Sequence, residues 1–290
     1  MKPDLHLSAN GIDFACLERG TGPLALVLHG FPDTPVSFIP LLEALADAGY
    51  RAVAPWLRGY APTSVPADDD YSLETLADDV SALRAELGGG PDSVIVGHDW
   101  GASVAYAAAR RRGEWAKAVV MSVPPPPYLG QLLMTPAQLK RSYYMWVFQL
   151  AIAEKVVTSH DYAFVETLWR EWSPGFDPTS ALAEVRRALG SDANVRAAVG
   201  YYRAAFAGMR LGAAAPAVSP VPPQRPEQPV LYLHGVNDGC IAIDQDMLDR
   251  IGGALGPGSA AEWVEDAGHF VVNEHPEAVS KRIVEFLGSV

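Results

Sequence analysis

The sequence predicts an α/β fold in which a mostly parallel, twisted sheet is flanked by helices and interrupted by a helical insertion. Short apolar segments alternate with helical patterns through residues 1–122, which is typical of a parallel sheet covered by helices. From residue 123 to about residue 211 the sequence is helical and rich in aromatic residues, and the alternation resumes after residue 229. One sheet domain with an inserted helical domain accounts for all of these segments.

The elements of the sheet domain follow from its apolar runs. Four candidate buried strands precede the insertion: LALVLHGF (24–31), RAVAP (51–55), SVIVGH (93–98) and KAVVMS (117–122). Residues 72–87 place apolar side chains on one face at helical spacing and stop at three glycines, which predicts a helix. After the insertion we expect two strands and an amphipathic helix: VLYLHG (230–235), AEWVED (261–266) and EAVSKRIVEFL (277–287).

Proline-rich segments bound the insertion. PPPPYLG (124–130) precedes the aromatic helical stretch, and APAVSPVPPQRPEQP (215–229) follows it. Because prolines interrupt regular structure, these segments are natural linkers. We therefore expect a core domain formed by residues 1–124 and 228–290 and a helical cap formed by residues 125–227, with the Pro-rich linkers at its two ends.

Charge and composition narrow the class of partner. The 290-residue chain has a formal net charge of −12, which disfavours nucleic acid and anionic membranes because both require clustered Lys and Arg. No apolar stretch approaches the length of a membrane span, and Cys16 and Cys240 lack the spacing of a metal site. We expect a cytoplasmic protein that acts on a small molecule without a metal or cofactor. A homodimer is compatible with the sequence.

The segment GHDWG (97–101) carries the first chemical signal. It follows an apolar strand and opens a helical stretch, and Gly97 and Gly101 flank the central Asp99 at the spacing of a nucleophile elbow. A serine at this position attacks carbonyl carbon, but on saturated carbon it would form an ether that water cannot readily cleave. A carboxylate attacking the same carbon forms an ester, which can be hydrolysed in a second step. Asp99 therefore indicates displacement at saturated carbon.

Hydrolysis of such an ester requires donors for an oxyanion and a base for water. HGFPD (29–33) follows the first strong strand, where one oxyanion N–H is expected, and the residue after the nucleophile supplies the other. These positions are the backbone N–H groups of Phe31 and Trp100. His269 lies after the last strand and is the candidate base, and Asp238, after the strand VLYLHG, is the candidate acid that orients it; Asp244 and Asp246 are alternatives.

Four motifs together resemble the epoxide hydrolase and haloalkane dehalogenase branch of the α/β-hydrolase family. They are HGFPD (29–33), GHDWGA (97–102), HGVNDG (234–239) and DAGHF (266–270), in this order and spacing. The resemblance covers essentially the whole chain. It implies the α/β-hydrolase fold, with the helical insertion placed as a cap after the sixth strand.

The cap sequence resembles that of epoxide hydrolases. In that branch one cap tyrosine lies four residues before Phe-Gln and a second precedes Arg, as Tyr144 and Tyr202 do here. Phenolic hydroxyls suit an opening epoxide because its oxygen must be hydrogen-bonded and protonated, whereas a departing halide needs no proton. Many haloalkane dehalogenases have Asn after His-Gly, and this chain has Phe31.

The resemblance therefore implies an epoxide hydrolase that converts an oxirane and water into a vicinal diol. Asp99 would be the nucleophile, His269 and Asp238 the water-activating pair, and Tyr144 and Tyr202 the donors to the epoxide oxygen. We expect a small apolar or aromatic epoxide, with substrate contacts from His29, Pro32, Trp146 and Phe148. The alternatives are a haloalkane dehalogenase on the same scaffold and a non-catalytic ligand-binding homologue.

Overall fold

The eight-stranded sheet is the centre of the fold. The computed structural model describes residues 1–111, 113–207 and 226–289. The strands lie in the order β1-β2-β4-β3-β5-β6-β7-β8. Their bounds are Leu5–Ala9 (β1), Ile12–Arg19 (β2), Leu24–Leu28 (β3), Arg51–Pro55 (β4), Val94–His98 (β5), Lys117–Met121 (β6), Val230–Gly235 (β7) and Ala260–Val264 (β8).

The central strands of the sheet are parallel, and three of them are buried along their whole length. The six consecutive strands β4-β3-β5-β6-β7-β8 are parallel to one another, and every residue of β3, β5 and β7 is buried. A strand that is covered on both faces has a continuous apolar sequence, and the sequence shows such runs at these segments. The predicted fold class is confirmed.

The N-terminal hairpin is the part of the sheet that the apolar runs do not reveal. Strands β1 and β2 pair antiparallel, and β2 pairs antiparallel with β4. Residues of β1 alternate between half-buried and exposed, so the strand has no continuous apolar run. The turn is Asn10-Gly11, and both residues have positive φ. Asn-Gly is the sequence favoured in two-residue hairpin turns, and it is the signal that could have predicted this hairpin.

Six α-helices of the core cover the sheet. They are α1 (Ile39–Asp47), α2 (Leu73–Glu86), α3 (Trp100–Ala109), α10 (Gln245–Ala254), α11 (Val271–Glu274) and α12 (Pro276–Gly288), with a 3₁₀ helix at Pro35–Phe38. Helix α2 begins at the predicted position because the Ser72 hydroxyl accepts a hydrogen bond from the Thr75 N–H. No helix among the described residues is long and apolar enough to cross a membrane.

Helices fill the chain between β6 and β7. They are α4 (Pro126–Leu133), α5 (Pro136–Arg141), α6 (Tyr143–Val147), α7 (Ala153–Trp172), α8 (Thr179–Ala188) and α9 (Asp192–Ala205). Helix α7 contains a kink at residues 159–162, where three successive residues have positive φ. Most of the predicted second linker, residues 215–225, lies outside the described residues. We propose that residues 125–227 form the cap.

A buried ion pair supports the junction between the core and these helices. Arg58 donates two hydrogen bonds to the Asp79 carboxylate, at 2.5 and 2.6 Å, and a third to the Asp70 carbonyl. The Arg58 carbonyl accepts a 2.9 Å hydrogen bond from the Tyr201 hydroxyl of α9. The loop after β4 is therefore held to α2 on one side and to α9 on the other.

Candidate active site

Asp99 lies on the sharp turn between β5 and α3. Its backbone is left-handed, with φ of 53° and ψ of −119°, which is strained for a residue that carries a side chain. The turn requires close backbone contact, because a Cβ on Gly97 would lie 2.1 Å from the Gly101 carbonyl oxygen. The strand-to-helix turn expected from the GHDWG segment is therefore present, with Asp99 between β5 and α3.

The loop after β3 supplies a donor to that carboxylate. The Phe31 N–H donates a 2.7 Å hydrogen bond to Asp99 Oδ1. A Cβ on Gly30 would lie 2.3 Å from the same oxygen, so glycine is needed for this approach. Trp100 is the first residue of α3, and the N–H of a first helical residue has no partner within its helix. Both predicted oxyanion donors thus lie beside Asp99.

His269 and Asp238 form a hydrogen-bonded pair next to Asp99. His269 Nδ1–H donates to Asp238 Oδ2 at 2.9 Å, and Nε2 lies 3.7 Å from Asp99 Oδ2. Asp238 Oδ1 accepts hydrogen bonds from the N–H groups of Cys240 and Ile241, which orient the carboxylate. The fallback acids of the sequence are elsewhere: Asp244, for example, caps α10 by accepting from the Met247 N–H.

Burial and charge act in opposite directions on this pair. Burial by itself lowers the pKa of His269, but the neighbouring Asp238 and Asp99 carboxylates outweigh it and raise that pKa to about 10. Burial raises the pKa of Asp238, and the His269 imidazolium outweighs it, so the pKa of Asp238 is below its usual value. In the resting protein the imidazole is therefore protonated and lies between two carboxylates.

Buried polar side chains hold the backbone of His269. The His269 carbonyl accepts hydrogen bonds from His98 Nε2–H at 2.8 Å and from the Ser122 hydroxyl at 2.7 Å. Burial lowers the pKa of His98 to about 4, so His98 is neutral and keeps this donor role. Neither His98 nor Ser122 was among the site residues predicted from the sequence.

The end of α7 connects the base and the acid. The Trp172 carbonyl accepts hydrogen bonds from the His269 N–H at 2.9 Å and from the Gly239 N–H at 3.0 Å. The Trp172 ring also packs against the rings of Tyr144 and His269. One residue of the inserted helices thus sets the spacing between the two loops that carry the pair. The aromatic character of the segment did not reveal this backbone role.

Tyr144 and Tyr202 lie together and line the same cavity as Asp99. Their ring centroids are 5.6 Å apart in an edge-to-face arrangement, and Tyr202 also packs against Trp100 and Phe31. The Tyr144 hydroxyl lies 3.6 Å from Cys240 Sγ. The buried Tyr202 hydroxyl has no hydrogen-bond partner among the described residues. Burial raises the pKa of both hydroxyls well above the usual value, so both are protonated.

A small cavity of about 100 Å³ joins the tyrosines to Asp99. Its wall is mostly apolar, and the lining residues are Asp99, Trp100, Ser103, Val123, Leu129, Leu133, Tyr144, Met145, Tyr202, Ala205, Phe206 and Ile241. This space can hold a small apolar molecule with its polar end toward Asp99 and the two hydroxyls.

The four predicted substrate contacts are not among the residues that line this cavity. His29 is buried: Nδ1–H donates to the Gly30 carbonyl, and Nε2 accepts from the Leu57 N–H. The Pro32 carbonyl accepts from Trp169 Nε1–H, and Phe148 packs between Phe31 and the two tyrosines. Trp146 is 46% exposed and contacts Phe206. Their role as substrate contacts stays a prediction.

No group of three or more His, Cys, Asp or Glu side chains that could hold a metal ion occurs within residues 1–111, 113–207 and 226–289. The polar groups at the cavity are a carboxylate, an imidazole, two phenols and backbone N–H groups. This set can perform nucleophilic, acid–base and oxyanion chemistry with side-chain and backbone groups of the chain.

Comparison with known proteins shows the family of the chain. Residues 23–276 match the family model for the alpha/beta hydrolase fold. The chain is 30% identical over 298 residues to epoxide hydrolase 3 from Xenopus tropicalis, covering 98% of this chain and 77% of that protein. It is 29% identical over 318 residues to an epoxide hydrolase from Caballeronia sordidicola, covering 99% and 94%.

A solved structure agrees at the level of the fold. Epoxide hydrolase VrEH1 from Vigna radiata superimposes with a TM-score of 0.77 at 26% identity, covering 98% of this chain and 96% of that one. The fold and the turn at Asp99 thus define a protein of the α/β-hydrolase class. The chain belongs to the α/β-hydrolase family and, within it, to the epoxide hydrolase branch.

Proposed function

We propose that the protein hydrolyses epoxides to vicinal diols through a covalent ester on Asp99. The observation that carries the proposal is the position of this carboxylate: Phe31 N–H contacts one oxygen, His269 Nε2 approaches the other, and the cavity lined by Tyr144 and Tyr202 lies in front of it. The named epoxide hydrolases among the relatives support the same substrate class.

In the first step the free carboxylate oxygen, Asp99 Oδ2, forms a bond to an oxirane carbon while the carbon–oxygen bond of the ring breaks. The ring oxygen keeps the bonding electrons and takes a proton from a tyrosine hydroxyl. Fixing Oδ1 by the Phe31 N–H leaves Oδ2 as the attacking atom. Two hydroxyls of buried tyrosines suit this task because they are protonated before the ring opens.

Ester formation also prepares the base. The resting imidazolium owes part of its raised pKa to the Asp99 charge, and that charge disappears in the ester. His269 can then release its proton to the tyrosine that protonated the substrate. The neutral imidazole is the form that removes a proton from water, and Asp238 stabilises the imidazolium formed in doing so.

In the second step the activated water attacks the ester carbonyl of Asp99. The developing oxyanion lies at the N–H groups of Phe31 and Trp100. Collapse of the intermediate breaks the carbon–oxygen bond between Asp99 and the substrate. The leaving alkoxide takes the remaining proton of the attacking water, so the diol is released and Asp99 returns as a carboxylate. His269 is again protonated, so the cycle consumes one epoxide and one water.

The apolar wall and the cavity of about 100 Å³ support small apolar or aryl epoxides as the substrate class. Haloalkane dehalogenation uses the same nucleophile but needs N–H donors for a halide. At the position where many dehalogenases have Asn, this chain has the hydrocarbon ring of Phe31. Diol formation from styrene oxide, with no halide released from a haloalkane panel, is the expected result.

The test of the covalent route is a single turnover in ¹⁸O-labelled water with enzyme in excess over styrene oxide. The first diol formed should carry unlabelled oxygen, because that oxygen comes from Asp99. Label should enter the Asp99 carboxylate and reach the diol only in later turnovers. Labelled oxygen in the first diol would show that water attacks the epoxide directly, and the proposal would then be wrong.

A further inference from the structure

The loop that carries the acid Asp238 also contacts the cap tyrosine Tyr144. Cys240 Sγ lies 3.6 Å from the Tyr144 hydroxyl oxygen, which is hydrogen-bond distance for sulfur, and both residues are 1% exposed. The Cys240 N–H donates to Asp238 Oδ1 at 2.7 Å. The two predicted catalytic groups, one in the core and one in the inserted helices, are therefore joined through one cysteine.

The position of the thiol is set from both sides. The Cys240 carbonyl accepts a 2.7 Å hydrogen bond from Gln138 Nε2–H, and Gln138 Oε1 accepts from the Ala242 N–H. Arg141 donates to the carbonyls of Asp238 and Gly239. Helix α5 thus holds the loop at residues 238–242 by its backbone, so the thiol has a defined direction toward Tyr144.

Either the Cys240 S–H or the Tyr144 O–H can be the donor in this contact. Burial raises the pKa of the Cys240 thiol well above its usual value, and the Asp238 and Asp99 carboxylates act in the same direction. Burial likewise raises the pKa of the Tyr144 hydroxyl, so both groups keep their protons and each can donate. If the S–H donates to the Tyr144 oxygen, the phenolic proton remains free for a substrate. If Tyr144 donates to sulfur, that proton is occupied.

We propose that Cys240 is a positioning residue for Tyr144: its S–H donates to the phenolic oxygen and directs the phenolic proton toward the substrate oxygen. The inference rests on the proposed function, because it gives Tyr144 the task of protonating the opened epoxide. As the phenol loses its proton, the same S–H stabilises the negative charge on its oxygen. Tyr202 packs against Trp100 instead, and its hydroxyl is the second donor to the epoxide oxygen.

Infrared spectroscopy tests the hydrogen bond without substrate. The S–H stretch absorbs where proteins are otherwise transparent, and subtracting the spectrum of Cys240→Ala isolates the Cys240 band from that of Cys16. A donating thiol absorbs at lower wavenumber than a free one. We expect the Cys240 band to move to higher wavenumber in Tyr144→Phe and to stay in place in Tyr143→Phe. A band unchanged in Tyr144→Phe would overturn the inference.

Rapid-quench kinetics with styrene oxide test the consequence for the first step. Cys240→Ala should slow ester formation about tenfold, since a hydrogen bond to an atom that develops charge is worth roughly that factor. Ester hydrolysis should keep its wild-type rate. Cys240→Ser, which retains a donor, should recover most of the loss. Cys16→Ala, which removes the buried thiol of β2, is the matched control and should leave both steps unchanged.

These measurements separate the inference from its alternatives. If Cys240 only stiffened the loop, Cys240→Ala would slow ester hydrolysis, because Asp238 acts through His269 in that step. In a Tyr144→Phe background Cys240→Ala should have no further effect, whereas an additive loss would contradict coupling between the two residues. If wild-type protein formed no diol, the proposed function would fail, yet the infrared result would still decide the hydrogen bond.

Discussion

His269 Nε2 lies 3.7 Å from Asp99 Oδ2, an ion-pair distance that is longer than a hydrogen bond. At this distance the His269 imidazole lies beside the Asp99 carboxylate but makes no hydrogen bond to Oδ2. The same residue therefore faces a charged carboxylate before ester formation and a neutral ester afterwards.

Replacing His269 with Gln should separate the two chemical steps. Asp99 and the tyrosines remain, so the epoxide should still alkylate the protein, but no base remains to activate water. We expect an adduct with the mass of protein plus epoxide to accumulate in intact-protein mass spectrometry, with diol formation reduced by about 10³-fold or more. His6→Gln, at an exposed histidine of β1, is the control and should form no lasting adduct. Absence of adduct in His269→Gln would count against an ester on Asp99.

The raised pKa of His269 should also appear in the pH dependence of stability. A group whose pKa rises on folding stabilises the folded state most below its unfolded pKa, and this contribution is lost as pH rises through the folded value. For a change from 6.5 to about 10 the upper limit is roughly 5 kcal/mol. Between pH 7 and 10 the wild type should therefore lose more free energy of unfolding than His269→Gln does. Urea unfolding of both proteins at each pH measures the difference, and parallel curves would contradict it.

The two tyrosines should contribute unequally to ring opening. Tyr144→Phe and Tyr202→Phe should each lower kcat/KM by about 10²-fold or more, with the larger loss at Tyr144 because it supplies the proton. The double variant should form no detectable ester. Tyr143→Phe, at the neighbouring tyrosine that is 36% exposed, is the control and should retain wild-type kcat/KM. Equal activity of Tyr144→Phe and the wild type would exclude Tyr144 from the chemistry.

The Arg58–Asp79 pair should matter for stability more than any exposed ion pair. Asp79→Asn leaves a buried guanidinium without its counter-charge, which costs about 3–5 kcal/mol of the free energy of unfolding. Glu18→Gln breaks the half-exposed Arg51–Glu18 pair, and surface pairs contribute about 1 kcal/mol or less. Urea unfolding at neutral pH compares the two variants. Similar losses in both would mean that the buried pair has no special role.

Much of the fold could be predicted because buried parallel strands have continuous apolar sequences. The bounds of β4 and β7 agree with RAVAP (51–55) and VLYLHG (230–235) residue for residue. The hairpin of β1 and β2 was missed because an edge strand that alternates polar and apolar residues has no such run. Its signal was the Asn10-Gly11 turn.

Some residues of the candidate site could also be predicted from the sequence, and others could not. Asp99, Asp238 and His269 could be named in advance because each lies in a short motif at the end of a strand, and parallel strands end at one edge of the sheet. Trp172 and Cys240 could not be, since one acts through its carbonyl and the other through a contact with a residue about a hundred positions away. Backbone acceptors and long-range contacts have no local sequence signal.

The sequence by itself determined the family, the sheet and the identity of the predicted nucleophile, because these depend on local apolar patterns and on residue types at fixed spacing. Only the tertiary structure decided how the groups are connected: that the Phe31 N–H holds one oxygen of Asp99, that His269 lies between two carboxylates, and that Cys240 meets Tyr144. The physical reason is that hydrogen-bond direction and charge proximity arise when distant segments pack together, and they shift pKa values and orient protons only then.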